Sequence, residues 1–143
     1  MGYIILPVTL TTAAGLAFIN LWLQMRIGRV RGIEKVSIGD GGSELLIRRM
    51  RAQANFVENA PFVLVLIAAI ELAKGTSTLL WIVGAVFLIA RVVHPFGMDG
   101  TKYARSVSTG ITMLLLLGLG VYAAWVAWHG MPQLTPVEVT TRV

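Results

Sequence analysis

Four long apolar runs divide this chain, at roughly 3–25, 54–73, 77–95 and 106–128. Each is close to the ~20 residues a helix needs to cross a hydrocarbon layer ~30 Å thick. Lipid offers no water to backbone N–H and C=O groups, so only helices and closed barrels can span it. The runs lack the in–out alternation of barrel strands, which leaves four transmembrane helices. The expected class is an all-α integral membrane protein. It is a four-transmembrane-helix bundle, with helices at about 3–27, 44–74, 77–95 and 105–129 in one domain, 1–143. The composition agrees: 56% of residues are hydrophobic and 13% charged, about half the charge of a soluble domain. No basic segment or small-residue cleavage site accompanies the first run, so it reads as a retained helix and not as a leader peptide.

There is no cysteine. Disulfides, thiolate metal sites and a cysteine nucleophile are therefore excluded, and any thiol chemistry must bring its sulfur on the substrate. The two histidines, His94 and His129, are far apart with no carboxylate at ligand spacing, so no metal is expected. The formal net charge is +5, but aromatic residues do not interleave the basic ones on a soluble face, which argues against a nucleic-acid partner. The charge is instead distributed as an orientation signal. Arg26, Arg29, Arg31, Lys35, Arg48, Arg49 and Arg51 surround the first link, and Arg91, Lys102 and Arg105 the third. The second link has Lys74 and the tail Arg142. The positive-inside rule then places the first and third links in the cytoplasm and both termini outside. Tyr122, Trp125 and Trp128 fit an outer aromatic belt.

The stretch "RAQANFVENAP" (51–61) runs charged and amide residues straight into the second apolar run. At about 100° per residue, Glu44, Arg48, Arg51, Asn55 and Glu58 share one helix face. Ionisable groups at membrane depth usually face a bundle interior or a wet cavity and mark function; the competing reading is an Arg–Glu pair that locks helix packing. Pro61 has no N–H for the Val57 carbonyl, so a kink is expected there. Ser43, after the "GDGG" turn, is a plausible N-cap for the second helix. Arg91 and His94, at i, i+3 near the end of the third helix, reach the same level, as do Tyr103, Arg105 and Ser106 at the start of the fourth. Glu71 and Lys74, at i, i+3 on another face, read as a structural pair. Asn20 reads as an interhelical hydrogen-bonding group. Arginines bind carboxylates bidentately, a glutamate can hold an ammonium, and an asparagine bridges amides. A small zwitterionic, multiply anionic peptide would satisfy such a set.

The stretch "RAQANFVENAPFVLVL" resembles the signature of the MAPEG family, the membrane-associated proteins in eicosanoid and glutathione metabolism. "ARVVHPFG" (90–97) and "YARS" (103–106) are similar to the family's third-helix end and fourth-helix start, and "GDGGSEL" (39–45) to its small bacterial branch. The resemblance covers nearly the whole chain. It implies a four-helix subunit of a homotrimer in a bacterial inner membrane, binding glutathione between subunits near the cytoplasmic face. By position it implies glutathione contacts at Arg51, Asn55 and Glu58, with Gln53 as a further one; Arg91, His94 and Ser106, which reach the same level, join them as candidate glutathione-binding residues. An arginine of the first helix would reach the tripeptide's carboxylate, with Arg26, Arg29 and Arg31 as candidates. Arg105 would stabilise the thiolate, with Tyr103 or Ser106 as the hydroxyl donor to sulfur or to the leaving group. The implied activity is a glutathione S-transferase, with peroxidase activity open to it, acting on a hydrophobic electrophile or lipid hydroperoxide taken from membrane lipid. The alternative is a non-catalytic lipid- or glutathione-binding scaffold of the same fold.

Overall fold

A computed structural model describes residues 5–130. It contains four helices, α1 (Pro7–Glu34), α2 (Glu44–Lys74), α3 (Thr78–Asp99) and α4 (Lys102–His129), and no strand among the described residues. All four are long and apolar enough to cross a membrane. Residues 3 and 4 of the expected first helix, and Arg142, lie outside the described residues.

The helices outrun the apolar stretches that announced them. α1 was expected to end near residue 27 but continues to Glu34, stopping at Lys35 in the left-handed conformation (φ 55°, ψ 34°). α3 passes through Pro95 and ends at Asp99. Apolar runs measure the length that crosses lipid; a helix continues into the interface as long as its backbone bonds and packing allow. The α1 extension has such packing, since Ile27 and Val30 are buried against Leu46 at the start of α2. α2 continues unbroken through Pro61, and next to it the Asn59 side chain donates to the Asn55 carbonyl at 2.7 Å.

Local capping follows the sequence where a serine precedes the helix. Ser43 Oγ accepts from Leu46 N at 3.2 Å and Ser77 Oγ from Leu80 N at 3.3 Å. Gly41 and Gly42 (φ 59° and 78°) make the turn before Ser43. α1 has no such residue, and its first turn is capped from α2. Glu71, 1% exposed, accepts from Val8 N (3.0 Å), Thr9 N (2.8 Å) and Thr9 Oγ1 (2.7 Å), and from Thr76 Oγ1 (2.8 Å). A carboxylate at a helix N-terminus satisfies orphan donors and the positive end of the dipole together. This corrects the expected Glu71–Lys74 pair. The Lys74 ammonium lies over the Trp125 ring instead, 5.7 Å from its centroid.

α2 and α3 form the middle of the bundle, with α1 and α4 each packed against both. The core runs from Leu16, Ile19 and Leu23 of α1 through Phe56, Val63 and Ile67 of α2 to Phe87 of α3 and Leu119 of α4. Phe18, Phe62, Ile89, Leu114 and Leu117 point outward, as expected where lipid or another subunit replaces water. Tyr122 and Trp125 stack at 5.9 Å near one end of α4. The arginine-rich end of the bundle lies at the other.

Glu71→Ala should leave four donors without their acceptor and detach the first turn of α1. The expected cost is about 2 kcal/mol or more, read as a lowered thermal midpoint in detergent by circular dichroism. Glu71→Gln should lose less, because one amide oxygen still accepts.

Candidate functional site

At the basic end, α2, α3 and α4 enclose a cleft of about 470 Å³. Arg51 and Asn55 line it from α2, His94 and Met98 from α3, and Arg105, Ser106 and Thr109 from α4. Arg51 and Asn55 are one turn apart on α2, so helical spacing alone puts them on the same wall. No Asp or Glu lines the cleft.

Arg91 stands behind this wall and joins its three helices. It is 1% exposed. Its guanidinium donates to Asn55 Oδ1 at 2.9 Å, to the Ser108 carbonyl at 3.4 Å and to Thr112 Oγ1, and it lies 5.5 Å from the Phe87 ring centroid. All of these partners are neutral. The ion pairs among the described residues are Arg26–Asp99, Arg49–Asp99 and Arg48–Glu44, none of which includes Arg51, Arg91 or Arg105. A buried cation without a counter-ion leaves positive potential in the wall of the cleft. An anion entering there would supply the missing charge.

His94, 5% exposed, has two hydroxyls against Nδ1, Ser108 Oγ at 3.1 Å and Thr109 Oγ1 at 3.5 Å. Ser108 Oγ donates its proton to the Arg105 carbonyl at 3.0 Å, so it accepts from His94 Nδ1 at 3.1 Å. With the Ser108 hydroxyl donating to the Arg105 carbonyl, Nδ1 carries the ring proton; which nitrogen carries it follows from how these hydroxyls orient. Nε2 has no partner.

The basic end is fixed from outside the cleft by Asp99. Arg26 donates to its carboxylate, Arg49 Nε approaches it at 3.9 Å, and Arg49 Nη1 donates to the Arg26 carbonyl at 3.0 Å. Arg26 also lies over Trp22 and Phe96, at 5.0 and 5.6 Å from their centroids. One carboxylate thereby ties α1, α2 and α3 together.

Of the residues expected at the site, Arg51, Asn55, His94, Arg105 and Ser106 line the cleft, and Arg91 braces it. Glu58 is exposed on α2 and lies outside the cleft. Tyr103 is 87% exposed and also outside. Gln53 turns to α1, its Nε2 3.5 Å from Asn20 Oδ1. Arg29 is exposed, and Arg31 is held at the first link by the Ser37 carbonyl and Met50 Sδ, both at 3.5 Å. The sequence reading missed Met98, Ser108, Thr109 and Thr112. A signal for three of these was present: Arg105, Ser108, Thr109 and Thr112 follow the i, i+3, i+4, i+7 spacing of a polar helix face.

A second cleft, of about 330 Å³, meets the first at Met98 and Arg105 and is otherwise lined by Arg48, Gly97, Gly100 and Lys102. Gly97 sets the position of Arg105. A Cβ at Gly97 would lie 2.2 Å from the Arg105 backbone nitrogen and 2.6 Å from its Cα. Only a residue without a side chain lets α3 approach the first turn of α4 this closely.

Comparison with known proteins adds two findings. The model of the MAPEG family matches residues 9–125. The inner membrane protein YecN of Escherichia coli (strain K12) is 33% identical over 115 residues, covering 79% of this chain and 88% of that protein. The protein of the same name from Escherichia coli strain CFT073 matches with the same identity and coverage.

Gly97→Ala should push the first turn of α4 outward and cost about 1–3 kcal/mol by overpacking. Gly110→Ala, also an added methyl but on a part of α4 with nothing within 4 Å, should be neutral or stabilising by up to about 1 kcal/mol. Thermal midpoints of the two variants, compared in one detergent, check the contrast.

Proposed function

The chain belongs to the MAPEG family, and on that premise we propose that it is a membrane-bound glutathione S-transferase. The observation that carries this reading is the cationic cleft at membrane depth. Arg51 and Arg105 line it, Arg91 stands behind it, and no carboxylate lines it. Glutathione offers two carboxylates and, when ionised, a thiolate. Its peptide amides suit Asn55, whose side-chain Nδ2 is not used by Arg91.

A free thiol of pKa about 8.5 is mostly protonated at neutral pH. A guanidinium in contact with sulfur, in a site of low dielectric, favours the thiolate. The N-terminus of α4 adds positive potential from the same direction. Lowering the thiol by two units corresponds to about 2.7 kcal/mol. The proton leaves to solvent. The thiolate then forms a carbon–sulfur bond to a lipophilic electrophile, and the leaving group departs with its electron pair. With a lipid hydroperoxide, two glutathiones give the disulfide, the alcohol and water. Ser106 lines the cleft and its hydroxyl donates to the Lys102 carbonyl at 3.2 Å; in this reading it turns from that bond to donate to sulfur or to the leaving group.

We place the protein in a bacterial inner membrane, as the name of its relative suggests for that protein, with both termini on the non-cytoplasmic side and the site near the cytoplasmic face. We also propose a homotrimer. Glu58 projects from α2 about four residues inside the apolar run, without an ionic partner among the described residues. A charged group at that depth needs cover, and a neighbouring subunit against α2 would supply it and close the open side of the cleft. Tyr103 and Arg29, both exposed, would reach a ligand only from such an assembly.

The deciding experiment presents a panel of thiols to the protein in detergent, with a generic aryl halide and a lipid hydroperoxide, and measures product. Product with glutathione and either acceptor is expected; tight glutathione binding without product would favour the scaffold reading. Arg105→Ala should raise the apparent pKa of the bound thiol by about one unit or more. Turnover should fall at about pH 7 and partly recover at about pH 9, where the free thiol ionises unaided. An ultraviolet titration of bound glutathione identical to wild type would remove Arg105 from catalysis. Glu58 reaches the ligand only if the neighbouring subunit brings the site's open side to it; in that assembly Glu58→Gln should weaken glutathione binding by about 1.5–3 kcal/mol, and unchanged affinity by calorimetry would leave Glu58 to subunit packing alone.

A further inference from the structure

The second cleft is a different kind of opening from the first. Its charged lining is Arg48 on α2 and Lys102 and Arg105 on α4. Neither carboxylate near it neutralises the set. Asp99 does not line the cleft and already faces two cations, accepting from Arg26 and lying 3.9 Å from Arg49 Nε. Glu44 meets Arg48 at 2.9 Å, one turn away along α2, but its side chain is 83% exposed, and such pairs contribute little. The first-turn backbone N–H groups of α4 have no side-chain cap at Thr101, so they add positive potential beside Lys102.

Depth distinguishes the occupant. α2 has 31 residues and α4 has 28, about 46 and 42 Å at 1.5 Å per residue. The hydrocarbon layer is about 30 Å thick and the whole bilayer about 40–45 Å. Arg48 lies in the second turn of α2 and Lys102 opens α4, so both stand at the level of lipid phosphates. Tyr103, next to Lys102 and 87% exposed, is the amphipathic kind of side chain that settles at that level. We propose that this cleft binds the phosphate of an anionic phospholipid headgroup in the leaflet at the basic end. Basic pockets between transmembrane helices hold headgroups in this way, and a guanidinium matches a phosphate bidentately. The site holds a bilayer lipid as a resident ligand beside the first cleft. The proposal does not depend on glutathione chemistry.

The test reads retained lipid with no thiol present. The protein is reconstituted into phosphatidylcholine nanodiscs containing phosphatidylglycerol, extracted gently, and the lipids it keeps are counted by native mass spectrometry. Wild type should retain phosphatidylglycerol enriched about five-fold or more over its share of the bilayer, given the usual pull of juxtamembrane cations on anionic lipid. Arg48→Gln with Lys102→Gln should bring retention to the bilayer share. The charge-preserving pair Arg48→Lys with Lys102→Arg should keep most of the enrichment. Lys102→Gln alone, at an exposed position, should lose about half and covers the case in which the double variant fails to fold. Lys35→Gln removes a basic residue of the first link outside the cleft and should change nothing. The proposal is overturned by enrichment that persists in the folded double variant or falls equally in Lys35→Gln. Displacement of the lipid by inorganic phosphate would also overturn it, by making this a site for soluble anions.

Discussion

A guanidinium buried between helices dictates how this bundle closes. Arg91 sits on α3 and needs acceptors; α2 supplies Asn55 and α4 supplies the Ser108 carbonyl and Thr112. Lipid cannot hydrate a guanidinium, so α2 and α4 must come to it. Their approach also brings Arg51, Asn55, Arg105 and Ser106 to one opening. The bracing contact and the candidate site are therefore one arrangement. All of Arg91's partners are neutral, so its charge is left for whatever enters the cleft.

The other buried or half-buried charges behave differently. Glu71 is satisfied by four donors at the α1 start and the second link. Asp99 accepts from Arg26 at one oxygen, and its other oxygen faces Arg49 Nε at 3.9 Å without a hydrogen bond. Each closes one end of the bundle. The contrast is one of place: Glu71 and Asp99 tie helix ends together outside the cleft, while Arg51 and Arg105 line it and Arg91 stands behind it, none of the three in an ion pair among the described residues. A fold that only required helix packing would more readily pair these arginines or replace them with apolar residues.

Small residues set the remaining geometry. At Gly97 the backbone of α4 passes where a Cβ would stand. At Gly84 a Cβ would lie 2.7 Å from Thr12 Oγ1, so α1 crosses α3 closely there. In lipid, where apolar side chains gain little by leaving their surroundings, such close approaches give helices their contact. Gly97 thus carries the packing of α3 on α4 and the position of the arginine that faces both clefts.

The sequence by itself determined the number of helices, their approximate spans and the polar stripe of α2, because lipid imposes a length and a polarity on each segment independently of its neighbours. It also determined that Arg51 and Asn55 share a wall, since they lie one turn apart on a single helix. Only the tertiary structure decided what depends on how separate helices meet. Glu71 was legible as a charge near a helix end, but not as the cap of α1, because its donors lie 62 and 63 positions away in sequence. Arg91 read equally well as a residue reaching for the interface, and burial between α2 and α4 made it a brace. Glu58 follows the same helical period as Asn55, yet falls outside the cleft because α3 and α4 cover only part of that face. The continuation of α1 to Glu34 likewise depended on Ile27 and Val30 meeting Leu46. Periodicity places side chains around one axis; the rotation and closeness of the neighbouring axes decide which of them meet.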